Sequence, residues 1–206
     1  MPIADTIALV SIIIFSAIIH EVMHGIAADY LGDKTARYAG RLTLNPIPHI
    51  DLWGSILLPV LFVLTNSPIF FGYAKPVPYN PYNLRPGRFS EAIVAGAGPF
   101  SNLVIALLAG LLIRTGVWGT GDILFLIILV NVMLCLFNLI PIPPLDGSKV
   151  LEAFLPASVQ YGYANWRARM EMNPFLGMGI VVLIVVLLGS SFGNLIYSLA
   201  SAIAGV

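Results

Sequence analysis

Five long apolar stretches dominate the chain, at 3–28, 52–74, 92–113, 123–145 and 172–206, and the short segments between them hold most of the charge. About 20 apolar residues suffice for a helix to cross the hydrocarbon core of a bilayer, so each stretch is long enough by count. The second does not read as a continuous helix. Pro59, Pro68 and the Thr65-Asn66-Ser67 between them are breakers and turn formers, which favours a re-entrant hairpin. Between 29 and 51 the chain turns polar, and residues 38–44 alternate as a short strand does until Asn45-Pro46 stops it. A second extended piece is expected at Lys75-Pro76-Val77-Pro78, where two prolines exclude regular helix. The last stretch predicts one span and then a second short helix, with Gly189 to Asn194 as a kink or turn. The expected fold is an all-α polytopic membrane protein. It has a core of three transmembrane helices with a re-entrant hairpin and short β-strands over 1–155, and one or two further membrane helices over 156–206.

Composition agrees with a membrane protein: 58% of the residues are hydrophobic and the mean hydropathy is +0.92. Ten Lys and Arg balance ten Asp and Glu, so nothing suggests a nucleic-acid partner. The single cysteine, Cys135, sits in an apolar stretch, which excludes an intrachain disulfide and leaves packing as its default role. The N-terminal run lacks the basic region and small-residue cleavage site of a secretory signal, so it reads as a retained transmembrane helix.

That first helix carries His20-Glu21-Val22-Met23-His24. Four residues apart on a helix, the two imidazoles share a face and can grip one metal ion, with Glu21 beside them. A charge at the bilayer centre costs roughly 2.5–3.5 kcal/mol on insertion scales, so three ionisable groups here need compensation, and metal ligation supplies it. The alternative is a buried polar cluster in which the three satisfy one another. A catalytic zinc takes three protein ligands and keeps a fourth position for water. The third candidate is Asp146, which follows Asn138-Leu139-Ile140-Pro141-Ile142-Pro143-Pro144-Leu145. Those prolines open the preceding helix, and irregular backbone at membrane depth is tolerated only where it is buried in protein or lines a wet cavity. Asp146 could instead cap the helix that begins near Gly147. His49, in a proline-rich connector beside Asp51, stays open as another ligand, whereas Asp29 is too close in sequence to fold back from a continuing helix.

The pentad lies about 12 Å from the end of its helix at 1.5 Å per residue, which puts the metal toward the side where that helix exits. If 52–74 dips in and returns, Lys34, Arg37, Arg41, Lys75, Arg85, Arg88, Lys149, Arg167 and Arg169 fall on that side and Arg114 alone on the other. If it spans, the basic residues divide almost evenly. The positive-inside rule therefore selects the re-entrant reading and makes the metal side cytoplasmic.

The pentad in a first apolar helix, the Asn138-to-Gly147 segment closing a later one, and Ala97-Gly98-Pro99-Phe100-Ser101-Asn102 opening the helix between them together resemble the site-2 protease family of intramembrane zinc metalloproteases. The resemblance covers approximately 3–155, and the 75–78 loop looks like that of the short bacterial and archaeal branch without PDZ or CBS domains. It implies His20, His24 and Asp146 as ligands of one Zn2+ per chain, and Glu21 as the general base that activates water. It also implies that Asn138 binds the substrate backbone or the developing oxyanion, with Asn102 helping or else making a helix–helix hydrogen bond. Asn131 has no motif support and is expected to make such a bond. The implied substrate is a transmembrane segment of another protein, cut in a prokaryotic cell membrane. An exposed strand edge near the metal could hold that substrate extended, although a solvated connector explains the same residues equally well. Two other classes compete: a transporter whose buried His, Glu and Asp line an ion path, and an inactive scaffold, against which the complete set of His20, Glu21, His24 and Asp146 argues.

Overall fold

The computed structural model describes residues 3–51, 57, 74–116 and 121–206, and these group into two compact units, Met1–Leu84 and Arg85–Val206. Three described helices are long and apolar enough to cross a membrane: α1 (Ile3–Tyr30), α3 (Ser90–Arg114) and α4 (Gly121–Asn138). Together with the family assignment made below, they give a multi-pass integral membrane protein.

In the first unit, α1 buries Ser16, His20, His24 and Ala28 along one i, i+4 stripe, while Ile3, Ile7, Val10 and Ile14 nearer its start stay exposed. It stops where Gly32 adopts a left-handed conformation (φ 112°) and the Asp33 N–H returns to the Ala28 carbonyl at 2.9 Å. The short helix α2 (Thr35–Tyr38) is tied back to α1 by Lys34 and Arg37, which meet the Asp29 carboxylate at 3.1 and 2.7 Å. Ile47–His49 and Pro81–Asn83 form single 3-10 turns.

The strand expected over 38–44 is not formed, and the described residues contain no strand at all. Tyr38 ends α2 instead, and Gly40, at φ 65°, closes it with N–H bonds from Ala39, Gly40 and Arg41 to the preceding turn. A helix closure that satisfies its own backbone outcompetes a weak alternation that has no partner strand. Lys75 to Pro78 likewise joins no sheet. The predicted hairpin over 52–74 lies outside the described residues except at 57 and 74.

In the second unit, α3 and α4 pack against each other and against α7 (Pro174–Ala204), with two helices between: α5 (Asp146–Phe154) and α6 (Ala157–Met172). Small residues let the backbones approach: Ala106, Ala109, Ala200 and Ala204 surround Ile128 and Val132. At Gly110 any Cβ would sit 2.7 Å from the Ile203 carbonyl oxygen, so that contact between α3 and α7 requires glycine. The stretch 172–206, expected to hold a span and then a short second helix, is instead one continuous 31-residue helix that follows α6. Gly189 and Gly193 do not break α7. Glycine costs a helix only about 1 kcal/mol, and an apolar segment has no other way to bond its backbone groups. Asn173 caps its start, and Gly205, at φ 82°, ends it.

Arg167 organises the region between 146 and 172. Its half-buried guanidinium reaches Glu152 at 2.7 Å, Glu171 at 3.0 Å and Glu91 at 3.3 Å, joining α5, α6 and the first turn of α3. Burial alone would lower its pKa, but the three carboxylates hold it above the ordinary arginine value. Arg88 completes the C-terminus of α5 by donating to the Ala153 and Leu155 carbonyls.

Candidate metal centre

The first unit contributes the pentad. His20 and His24 are one helical turn apart on α1, 6% and 9% exposed, with ring centroids 4.6 Å apart in an edge-to-face arrangement. Glu21 points elsewhere: its Oε2 accepts a hydrogen bond from the Val77 N–H at 2.8 Å. Gly25, directly after the pentad, makes that contact possible. A Cβ there would lie 2.8 Å from a Val77 methyl and 2.6 Å from a Leu42 methyl, so a bare backbone lets both side chains seat against α1.

The segment carrying Val77 engages four of its backbone polar groups within the same unit. The Lys75 N–H donates to the His49 carbonyl (2.9 Å), and the Lys75 and Pro76 carbonyls accept from Arg41 Nη2 (2.8 and 3.3 Å). Pro76 and Pro78 have no N–H to offer. The extended piece expected at 75–78 thus forms no strand, and over 75–77 four of its backbone groups pair with Arg41, His49 and Glu21.

His49, considered from the sequence as a ligand, is 2% exposed, and its Nε2 lies 2.9 Å from the Thr43 carbonyl. Asp33 holds the far end of the same segment, accepting from Thr35, from the Asn80 N–H and from the Asn83 side chain. Burial pushes its pKa up, but these hydrogen bonds outweigh that effect and hold the carboxyl below the ordinary value.

The second unit contributes Asp146, in the first turn of α5, directly after the proline-rich turns that follow α4. Gly147 is required there, since a Cβ would fall 2.2 Å from the Leu139 carbonyl oxygen and 2.6 Å from that of Ile140. Tyr163 from α6 donates to the Pro141 carbonyl and braces the same turns. Leu145 stands at the N-cap of α5 and supplies no side-chain cap, and the Ser148 hydroxyl donates back to the Leu145 carbonyl. Asn138, at the end of α4, donates to the Leu134 carbonyl at 3.0 Å. Asn102 is fully buried in α3, where its amide donates to Asn131 of α4 at 2.9 Å, and Asn131 in turn donates to the Ile127 carbonyl. The helix–helix bond expected of Asn131 is present, and Asn102 is its partner.

His20 and His24, one helical turn apart on α1, and Asp146, in the first turn of α5, each offer one ligand atom of a type that binds metal. Two imidazoles and one carboxylate suit zinc at a catalytic centre, which takes three protein ligands. Sequence reasoning had named these three, but not Arg41, Val77, Gly25 or Asp33. The available signal was modest: a glycine immediately after the pentad, and a lone arginine inside an otherwise uncharged 39–50.

Apolar spanning helices and a donor set of two histidines and an aspartate define a membrane-embedded metalloenzyme class. Comparison with known proteins gives the same class. The model of peptidase family M50 matches residues 112–184. The chain is 38% identical over 194 residues to "Putative zinc metalloprotease YwhC" of Bacillus subtilis, covering 88% of this chain and 82% of the relative. It is 28% identical to "Putative zinc metalloprotease Rip2" of Mycolicibacterium smegmatis, covering 90% and 68%, and 32% identical to Rip2 of Mycobacterium tuberculosis, covering 72% and 58%. No solved structure matches. The chain belongs to peptidase family M50, the site-2 proteases, and is an intramembrane zinc metalloprotease.

Proposed function

We propose that His20, His24 and Asp146 hold one zinc ion per chain, and that Glu21 is the general base for hydrolysis of peptide bonds in transmembrane segments of other membrane proteins. The observation that carries this reading is the pair of buried imidazoles one helical turn apart on α1, with Glu21 next in sequence to one of them, in a chain 38% identical to a relative named as a zinc metalloprotease. Bound zinc would polarise the scissile carbonyl and lower the pKa of water to about 7. Glu21 takes a proton from the attacking water through the oxygen that does not accept from Val77, and delivers it to the departing amine as the C–N bond breaks. Asn138 keeps a second amide hydrogen for the substrate backbone or the developing oxyanion. Asn102, engaged with Asn131, acts indirectly by joining α3 to α4.

A helical substrate hides its carbonyls in its own hydrogen bonds, so spans containing Gly, Pro or Asn are the preferred targets. Cleavage takes place toward the cytoplasmic face of a prokaryotic cell membrane. The supports are the concentration of basic residues outside the apolar stretches on one predicted side and the bacterial sources of the relatives.

Zinc content per chain in detergent-purified protein tests the ligand set. One zinc in the unaltered protein and a marked loss in Asp146→Ala are expected, and equal binding by both would remove Asp146 from the coordination. Glu21→Gln should keep its zinc while lowering kcat by about 10²–10⁴-fold. Ion flux without proteolysis would support the transporter reading instead.

A further inference from the structure

Arg41 is 8% exposed, its Nη2 donates to the Lys75 and Pro76 carbonyls, and among the described residues no carboxylate shares its hydrogen bonds and its buried Nε has no hydrogen-bond partner. Burying a guanidinium on neutral acceptors is costly, so a compensating role is expected. The partner that gives it one is the Pro76–Val77 peptide. The carbonyl of that single peptide group accepts from Arg41 at 3.3 Å, and its N–H donates to Glu21 Oε2 at 2.8 Å. A cation on the oxygen of a peptide polarises the whole group and strengthens donation from its nitrogen. The same guanidinium also grips the preceding carbonyl, and His49 holds the Lys75 N–H, so the peptide cannot swing away from α1. Val77 is buried against the gap left by Gly25, which fixes its distance from the helix.

We propose that Arg41 is a positioning residue for the catalytic carboxylate. It acts through the Pro76–Val77 peptide to hold Glu21 in one orientation, and residues 75–77 form a strap that serves the enzyme's own base rather than the substrate. The proposal rests on the reading of Glu21 as general base.

Hydrogen exchange at the Val77 amide tests the contact directly in the full-length zinc-loaded protein. The prolines at 76 and 78 leave Lys75, Val77 and Tyr79 as the amides of 75–79, so one short peptide reports on it. The Val77 amide should be protected in the unaltered chain. Protection should fall by tenfold or more in Glu21→Ala and in Arg41→Ala, and return largely in Arg41→Lys. Fast exchange in the unaltered chain, or undiminished protection in Arg41→Ala, would overturn the proposal.

The second arm uses fluorescein-labelled casein, an unfolded probe that needs no helix unwinding. Arg41→Ala should lower kcat by about 10–100-fold with KM and zinc content unchanged, and should have no further effect on a Glu21→Gln background. Gly25→Ala, whose Cβ would press on Val77 and on Leu42 beside Arg41, should lower kcat in the same way. A loss in Arg41→Ala that tracks zinc content and melting temperature, without rescue by lysine, would reduce Arg41 to a structural residue and overturn the proposal. Full activity in Glu21→Gln would overturn the reading of Glu21 itself, whatever Arg41 does.

Discussion

Gly147 shows how a single atom constrains the neighbourhood of Asp146. Because the space a Cβ would fill is occupied by backbone oxygens rather than movable side chains, Gly147→Ala must shift the turns that lead into α5. The expected cost is about 1–3 kcal/mol, the range for overpacking, read as a lower melting temperature together with weakened zinc retention. Asp33 makes a different residue-scale prediction. Its folded pKa lies below the unfolded value of about 3.9, so its contribution is complete above that value and is lost as pH falls through the folded pKa. Amide exchange at Asn80 should therefore accelerate as pH is lowered below about 4, relative to the intrinsic rate, and Asp33→Asn should remove that dependence. If the Asn80 amide shows the same profile in both proteins, Asp33 does not hold the segment.

Elements in the second unit are joined by charge outside the apolar stretches and by small residues within them. Arg167→Met leaves Glu91, Glu152 and Glu171 without their shared cation, and losing this half-buried network costs about 1–3 kcal/mol, less than a fully buried pair. The expected result is a large fall in the denaturation midpoint. Arg167→Lys should recover only part of it, since a point charge cannot serve three carboxylates as a fork does. Within the apolar region, the Asn102–Asn131 bond should be worth about 0.6 kcal/mol in a double-mutant cycle with leucine, the average for such bonds in membranes. A coupling near zero would mean that the pair contributes no net stability beyond what other partners supply.

For the molecule as a whole, the charge distribution predicts orientation. With Cys135 replaced by alanine, a thiol at the highly exposed Tyr82 should react with a membrane-impermeant reagent only after the cytoplasmic face is opened. One placed at Thr115 should react from outside intact cells. The reverse pattern would invert the proposed topology.

The candidate donors, and the helix-borne spacing of the two histidines among them, were legible in the sequence. The i, i+4 pitch of a helix is local geometry, and an ionisable group in an apolar run costs too much to be incidental. The three spanning helices could likewise be read from length and hydropathy, because a segment in hydrocarbon must bond its own backbone. The strand at 38–44 could not be judged that way, since a strand exists only if another segment pairs with it. Nor could the continuity of α7 through Gly189 and Gly193, which no local rule for glycine decides. Tertiary structure alone revealed that Arg41, 36 residues before Val77, reaches Glu21 through a single peptide group, that Gly25 and Gly147 are needed for close backbone or side-chain approach, and that Arg167 gathers three carboxylates from three helices. The chain's own order thus determines which atoms can bind a metal and which segments enter the membrane, because both follow from local pitch and transfer energy. What holds Glu21 in place depends on contacts between residues far apart in sequence, and only the folded chain brings those together.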